Sequence, residues 1–148
     1  MIHVNLQDTI RRPVREVFDR IVDIDRYPEW RTGGGGIFVT CSQLSPGPVQ
    51  RGTEYIDRTR LGAARGEVAE FRPPVEVVFH YVFRVLGRPA IEGWPGYTLE
   101  EVAPDVTRVH HRAEARVYGP AKLLEPLLQK LAERERRLTL QALKSSFR

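Results

Sequence analysis

Between Pro13 and Ile24, apolar side chains fall at Val14, Val17, Phe18, Ile21 and Val22, offsets of 0, 3, 4, 7 and 8. That spacing is one stripe of an amphipathic helix, and Pro13 suits its first position, where a missing N–H costs nothing. Residues 2–10 read as a strand before it, and DIDRYPEW as a short turn or second helix that Pro28 keeps brief. The period then changes to two. Strand-like segments recur at 37–44, 53–61, 65–72, 75–86, 90–102 and 106–118, separated by SPGP, LGAA, RPP, LGRP and VAPD. Separators rich in Pro and Gly are what antiparallel hairpins require. From Ala121 to Phe147 the pattern is a long helix, with Pro126 predicted to kink it or to split off an initial turn.

One strand, two short helices, six strands and a long helix predict an α+β fold. A seven-stranded antiparallel sheet must cover its inner face, and only one long helix is available to do so. A strongly curved sheet wrapped around that helix buries the apolar side of both and leaves a cavity where the helix fails to fill the concavity. No repeat or low-complexity tract divides the 148 residues, so one domain over 1–148 is expected.

Composition narrows the function classes. Apolar residues make up 41% and charged residues 28%, as in a globular protein. The longest apolar candidate, VEVVFHYVFRVL, is interrupted by Glu76, His80 and Arg84, so no membrane insertion is expected. The first residues lack a basic region followed by an apolar core, and a single cysteine, Cys41, suits a reducing compartment; a cytoplasmic location is the expectation. The net charge of +4 is spread along the chain without a groove-entering motif or a stacking array, so no nucleic-acid partner is expected. Four scattered histidines and one cysteine show no metal-ligand spacing, and no metal or cofactor is expected. Gly33 to Gly36 have neither a helix opening on them nor a Lys-Ser/Thr pair, which argues against a phosphate loop; they read as a soft joint between the short helices and the second strand.

Three stretches carry a family pattern. RRPVREVFDRIVDIDRYPEW resembles the opening of the START and birch-pollen-allergen-like (SRPBCC) superfamily, in its polyketide cyclase/dehydrase and lipid-transport branch. LSPGPVQRGTEY is similar to that branch's second-to-third strand hairpin, and GYTLEEVAPDVTRVHHRAEARVYGP to its last two strands before the closing helix. The resemblance covers nearly the whole chain and implies a helix-grip fold. It also implies a hydrophobic small molecule as partner. Its motifs reflect packing and turns, so they leave ligand and reaction open.

Alternation supplies a provisional lining. In 106–118 the inner face reads Thr107, Val109, His111, Ala113, Ala115 and Val117, so the adjacent His110 and His111 point to opposite sides and share no metal. In 75–86 the inner set contains Phe79, Tyr81 and Phe83; Tyr97 and Leu99 face inward from the strand between, and Trp94 is a further aromatic candidate for the ligand. In 53–61 the inner set is Tyr55, Asp57, Thr59 and Leu61, although the opposite set is only somewhat more polar. The closing helix carries Leu124, Leu127, Leu128, Leu131, Leu138 and Ala142 on one stripe that includes Glu135, with Leu140, Leu143 and Phe147 on another side.

Three functions compete on these residues. A carrier or sensor would enclose a hydrophobic molecule by apolar burial, with His111, Tyr81 or Glu135 fixing its orientation. A polyketide cyclase/aromatase or dehydratase would use His111 and Glu135 as an acid/base pair in the same cavity. A protein-interaction module would use the outer surface and no ligand. If Glu135 and Asp57 face inward, each needs a partner, for which His111, Arg58 or Arg60 are available; otherwise Glu135 sits at a solvated margin beside Arg134 or Arg136.

Overall fold

The computed structural model describes residues 1–31 and 35–148. Strand β1 (Ile2–Ile10) leads to α1 (Val14–Val22), a 3-10 turn at Ile24–Arg26 and a single-turn α2 (Tyr27–Trp30). Six strands follow: β2 (Phe38–Gln43), β3 (Glu54–Thr59), β4 (Gly62–Arg72), β5 (Glu76–Val85), β6 (Arg88–Ala103) and β7 (Val106–Val117). A 3-10 segment, Gly119–Leu124, then precedes α3 (Glu125–Ser145), and Pro126 marks the start of the α-helix instead of kinking it. All seven strands form one antiparallel sheet in the order β1-β7-β6-β5-β4-β3-β2. This is the helix-grip architecture.

Register gives the sheet two distinct ends. One end holds the β4–β5 and β6–β7 turns together with the finish of β1, where Ile10 pairs with Thr107. Here α1 packs Val17, Phe18 and Ile21 onto the inner face, and the Phe18 ring meets Phe71 at 5.7 Å. Val77, Leu99 and Val109 from the sheet and Leu140 and Leu143 from α3 join the same buried cluster. Full burial of each such side chain contributes about 1.5–3 kcal/mol, so this end carries most of the hydrophobic stabilisation. The opposite end holds the β3–β4 and β5–β6 turns, the start of β1 and the start of α3, where only Ile2, Ala115 and Val117 form a small second cluster.

The inner arc of α3 differs from the predicted stripe. Leu124 and Leu127 face solvent, at 52% and 66% exposure, whereas Glu135, Thr139, Leu140 and Leu143 are buried. The arc runs through Leu128, Leu131, Ala132, Glu135, Thr139 and Leu143, a regular i, i+3/i+4 series. Leu128, Leu131 and Glu135 of the predicted stripe are on it, whereas the polar Thr139 is hidden from an apolar count. Of the expected glycine joint, Gly33 and Gly34 lie outside the described residues. Gly35 and Gly36 are fastened to α3: the Gly35 carbonyl accepts from Arg134 Nη2 at 3.0 Å, and a Cβ on Gly36 would meet Glu135 Oε2 at 2.7 Å.

Candidate functional site

The inner face is hollow where its side chains are small. Ile2, Ala115, Gly93, Tyr81, Gly66 and Tyr55 lie in one cross-strand row, paired in succession from β1 to β3. A Cβ on Gly93 would meet the Tyr81 ring at 2.4 Å, and one on Gly66 would meet the Tyr55 ring at 2.6 Å. Both tyrosines therefore lie flat across a neighbouring strand instead of standing up into the concavity. Only glycine permits that approach. Above this floor, and beneath Leu128, Leu131 and Ala132 of α3, remains a cavity of about 170 Å³.

The predicted lining maps onto it with two exceptions. Tyr55, Asp57, Phe79, Tyr81, Phe83, Tyr97, Ala113, Leu128, Leu131 and Glu135 all border the cavity. Phe79 and Tyr55 meet edge to face at 5.7 Å, which fixes both rings. Trp94 is not there. It stacks on His80 at 5.3 Å on the outer face, as the parity of Tyr97 requires, because residues three apart in a strand point to opposite sides. His111 is the second exception. It faces inward and is fully buried, but it stands behind the wall, stacked on Tyr97 at 4.1 Å, and Tyr97 is what the cavity meets.

The environment of His111 sets its chemistry. Nδ1–H donates to the Gly96 carbonyl at 2.8 Å, which leaves Nε2 as a buried acceptor without a hydrogen-bond partner among the described residues. Burial, reinforced by the Arg136 charge, lowers its pKa to about 3. A neutral imidazole of that basicity is far from the neutral range where general bases work well.

The polar side of the cavity is built around a residue that the sequence reading passed over. Arg31, at the end of α2, places Nη2 2.6 Å from Asp57 Oδ1, and both side chains are nearly buried. Its guanidinium lies 3.9 Å from the centre of the Phe38 ring and 4.8 Å from that of Tyr27. Asp57 is thus partnered by Arg31, not by His111, Arg58 or Arg60. Burial pushes the Asp57 carboxyl up, and Arg31 offsets only part of this. Desolvation pulls Arg31 down, but Asp57 more than offsets it and Arg31 stays charged. The nearby Cys41 thiol is pushed up to about 12, chiefly by burial, and is no nucleophile.

Glu135 is inward and partnered without the sheet. Its Oε2 accepts from the Ile37 N–H at 3.1 Å and its Oε1 from Arg134 Nη1 at 2.9 Å. Arg136 and Thr139 complete the α3 side of the wall, and Thr139 Oγ1 is buried with no hydrogen-bond partner among the described residues. Sequence signals for the missed residues did exist. A glycine inside a strand pattern marks a close approach, and an inward Asp57 demands a cation. Nothing local in the sequence names Arg31 as that cation. Among the described residues no group of three or more His, Cys, Asp and Glu is placed to hold a metal ion.

Comparison with known proteins agrees with this architecture. No curated protein matches the chain by sequence. A hypothetical protein of Helicobacter pylori superposes with a TM-score of 0.81 at 14% identity, over 99% of this chain and 88% of that one. The Zhui aromatase/cyclase of a Streptomyces species gives 0.76 at 13% identity, over 97% and 92%. A START superfamily protein of Mycobacterium smegmatis gives 0.72 at 14% identity, over 97% and 95%. At such identities the likeness is one of fold. The model of the family described as polyketide cyclase / dehydrase and lipid transport matches residues 1–148, and the chain belongs to that family.

Proposed function

We propose that this protein binds a hydrophobic small molecule between the sheet and α3, as a carrier or sensor. The observation that carries the reading is the cavity itself. Ala64, Ala113, Ala115, Gly66 and Gly93 occupy inner positions where larger residues would close it. An unfilled apolar space costs contacts on every wall, so a hollow retained beside a well-packed core favours an occupant. An apolar cavity of roughly 150 Å³ takes a benzene ring. At about 170 Å³ this one suits a single ring or a short acyl segment without side-chain movement. Apolar burial supplies the affinity, while Arg31, Asp57 and the tyrosine hydroxyls orient whatever polar end the ligand has.

The acid/base reading of His111 and Glu135 gains no such support. His111 is weakly basic and stands behind Tyr97, and both oxygens of Glu135 already accept hydrogen bonds. Native mass spectrometry of the protein purified from its own host tests the proposal, with a retained small molecule as the expected result. Titration with a single-ring fluorescent dye, such as a dialkylaminobenzonitrile, provides a second test. Ala113→Phe, which fills the cavity, is expected to weaken dye binding by at least about tenfold. Equal binding by the filled variant would sink the reading.

A further inference from the structure

The cavity reaches the surface at the hollow end of the sheet, where Leu61 both borders it and is largely exposed. Eleven large apolar side chains are exposed among the described residues, and six of them lie on three turn or helix-start segments at this end. They are Leu61 in the β3–β4 turn, Val85 and Leu86 at the β5–β6 turn, and Leu123, Leu124 and Leu127 around the start of α3. Single exposed leucines are ordinary, but their grouping on three separate segments at one end is not. Leu86 is 99% exposed and sits at φ 52, a backbone region that bulky side chains rarely occupy. Asparagine or glycine would serve that turn at less cost.

Charge accompanies the leucines. Arg60 precedes Leu61, Arg84 and Arg88 bracket the β5–β6 turn, and Lys122 precedes Leu123. Residues 60–62, 84–88 and 119–124 contain no carboxylate, and Glu125, between Leu124 and Leu127, meets the N-terminal amine at 3.5 Å. Among the described residues none of these four cations forms an ion pair, unlike Arg12, Arg31, Arg72, Arg108, Arg134 and Lys144. The β6–β7 turn at the opposite end instead carries Asp105. Apolar tips set among unpaired cations match an anionic lipid surface, where leucines enter the headgroup layer and Arg and Lys meet phosphates.

We propose that the hollow end docks on an anionic bilayer, with the cavity mouth facing the membrane. Docking of this kind is peripheral, and no described helix is long and apolar enough to cross a membrane. The proposal does not depend on which molecule the cavity holds.

Co-sedimentation with phosphatidylcholine vesicles containing about 30% phosphatidylserine, against phosphatidylcholine alone, tests it. Binding is expected only to the anionic vesicles and should fall with added salt. Leu86→Asp/Leu123→Asp is expected to reduce the partition coefficient at least about tenfold. Arg84→Gln/Arg88→Gln should reduce it about 25-fold, at roughly fivefold per cation. Val75→Asp/Val102→Asp, at the opposite end, should leave it unchanged. No binding to the anionic vesicles, equal binding to both vesicle types, or equal losses in the opposite-end variant would overturn the proposal. Dye binding that persists in Leu86→Asp/Leu123→Asp while vesicle binding is lost separates docking from the cavity reading; a cavity that fails to take the dye while docking persists sinks only the latter.

Discussion

At the α1 end of the sheet, Val77, Leu99 and Val109 share one cluster with Phe18, Ile21 and Leu143, all nearly inaccessible to water. At the other end Ala64, Ala113 and Ala115 face Leu128 and Leu131 across an open cavity. Both ends use the same strands, the same alternation and the same helix. Side-chain volume and the seating of α1 at one end separate them, and the Tyr97–His111 stack stands at the partition. Hydrophobic patterning therefore specifies which face is inner, while the sizes of the residues along that face specify where it is hollow.

The comparison breaks most sharply at Arg31. The hollow end has little apolar burial, so its ion pair with Asp57 should hold α2 against β3. Arg31→Met leaves a nearly buried carboxylate without its cation and is expected to cost about 3–5 kcal/mol in urea unfolding. Arg31→Met/Asp57→Leu, which removes both charges, should recover most of that loss. A single variant as stable as the parent would mean that water already solvates Asp57.

Truncation contrasts the two ends directly. Leu143→Ala at the solid end is expected to cost about 2–5 kcal/mol, because a packed neighbourhood cannot collapse into the space. Leu128→Ala borders a hollow that already exists and should cost about 1 kcal/mol, the transfer contribution of a half-buried side chain with no new cavity. Equal costs would show that the cavity closes in solution.

Much of this was legible from the chain. Period-two segments between Pro- and Gly-rich separators yield all six later strands to within a few residues, and parity places Tyr81, Tyr97, His111 and Ala113 on the inner face. Trp94 violates that parity and belongs outside. What stayed hidden was non-local. Arg31 and Asp57 are separated by 26 residues and meet only because α2 packs on β2 and the Arg31 side chain at its end reaches across to β3. His111 and Tyr97 meet by strand register. The predicted stripe of α3 caught Leu128, Leu131 and Glu135 of the inner arc but not Thr139, whose polar side chain an apolar count passes over.

His111 gives a pH test of the partition. Its folded pKa is lowered from 6.5 to about 3, so the unfolded chain binds the proton more readily. The stability due to the neutral, buried ring is present above about pH 6.5 and is lost as pH falls toward 3. Between pH 7 and pH 5 the loss is about 2 kcal/mol. His111→Phe should flatten this limb of the stability profile, whatever its effect at neutral pH. An unchanged slope would show that His111 is solvated and that the partition is leaky.

The smallest expected effect is the most discriminating, because it adds atoms instead of removing them. Val109→Leu places one more methylene in a filled region and should cost about 1–3 kcal/mol through displaced neighbours. Ala115→Leu adds three carbons at the hollow end, yet they enter existing space beside Leu128. The gain in buried apolar area opposes any residual strain, so the net change in urea unfolding should stay within about 1 kcal/mol of zero. The same substitution should weaken dye binding, since the added carbons occupy volume the dye needs. Stability retained with binding lost would mean that the alanines serve occupancy and not packing. Stability lost at both positions would mean that the two ends are equally full, and the distinction between core and cavity would fail.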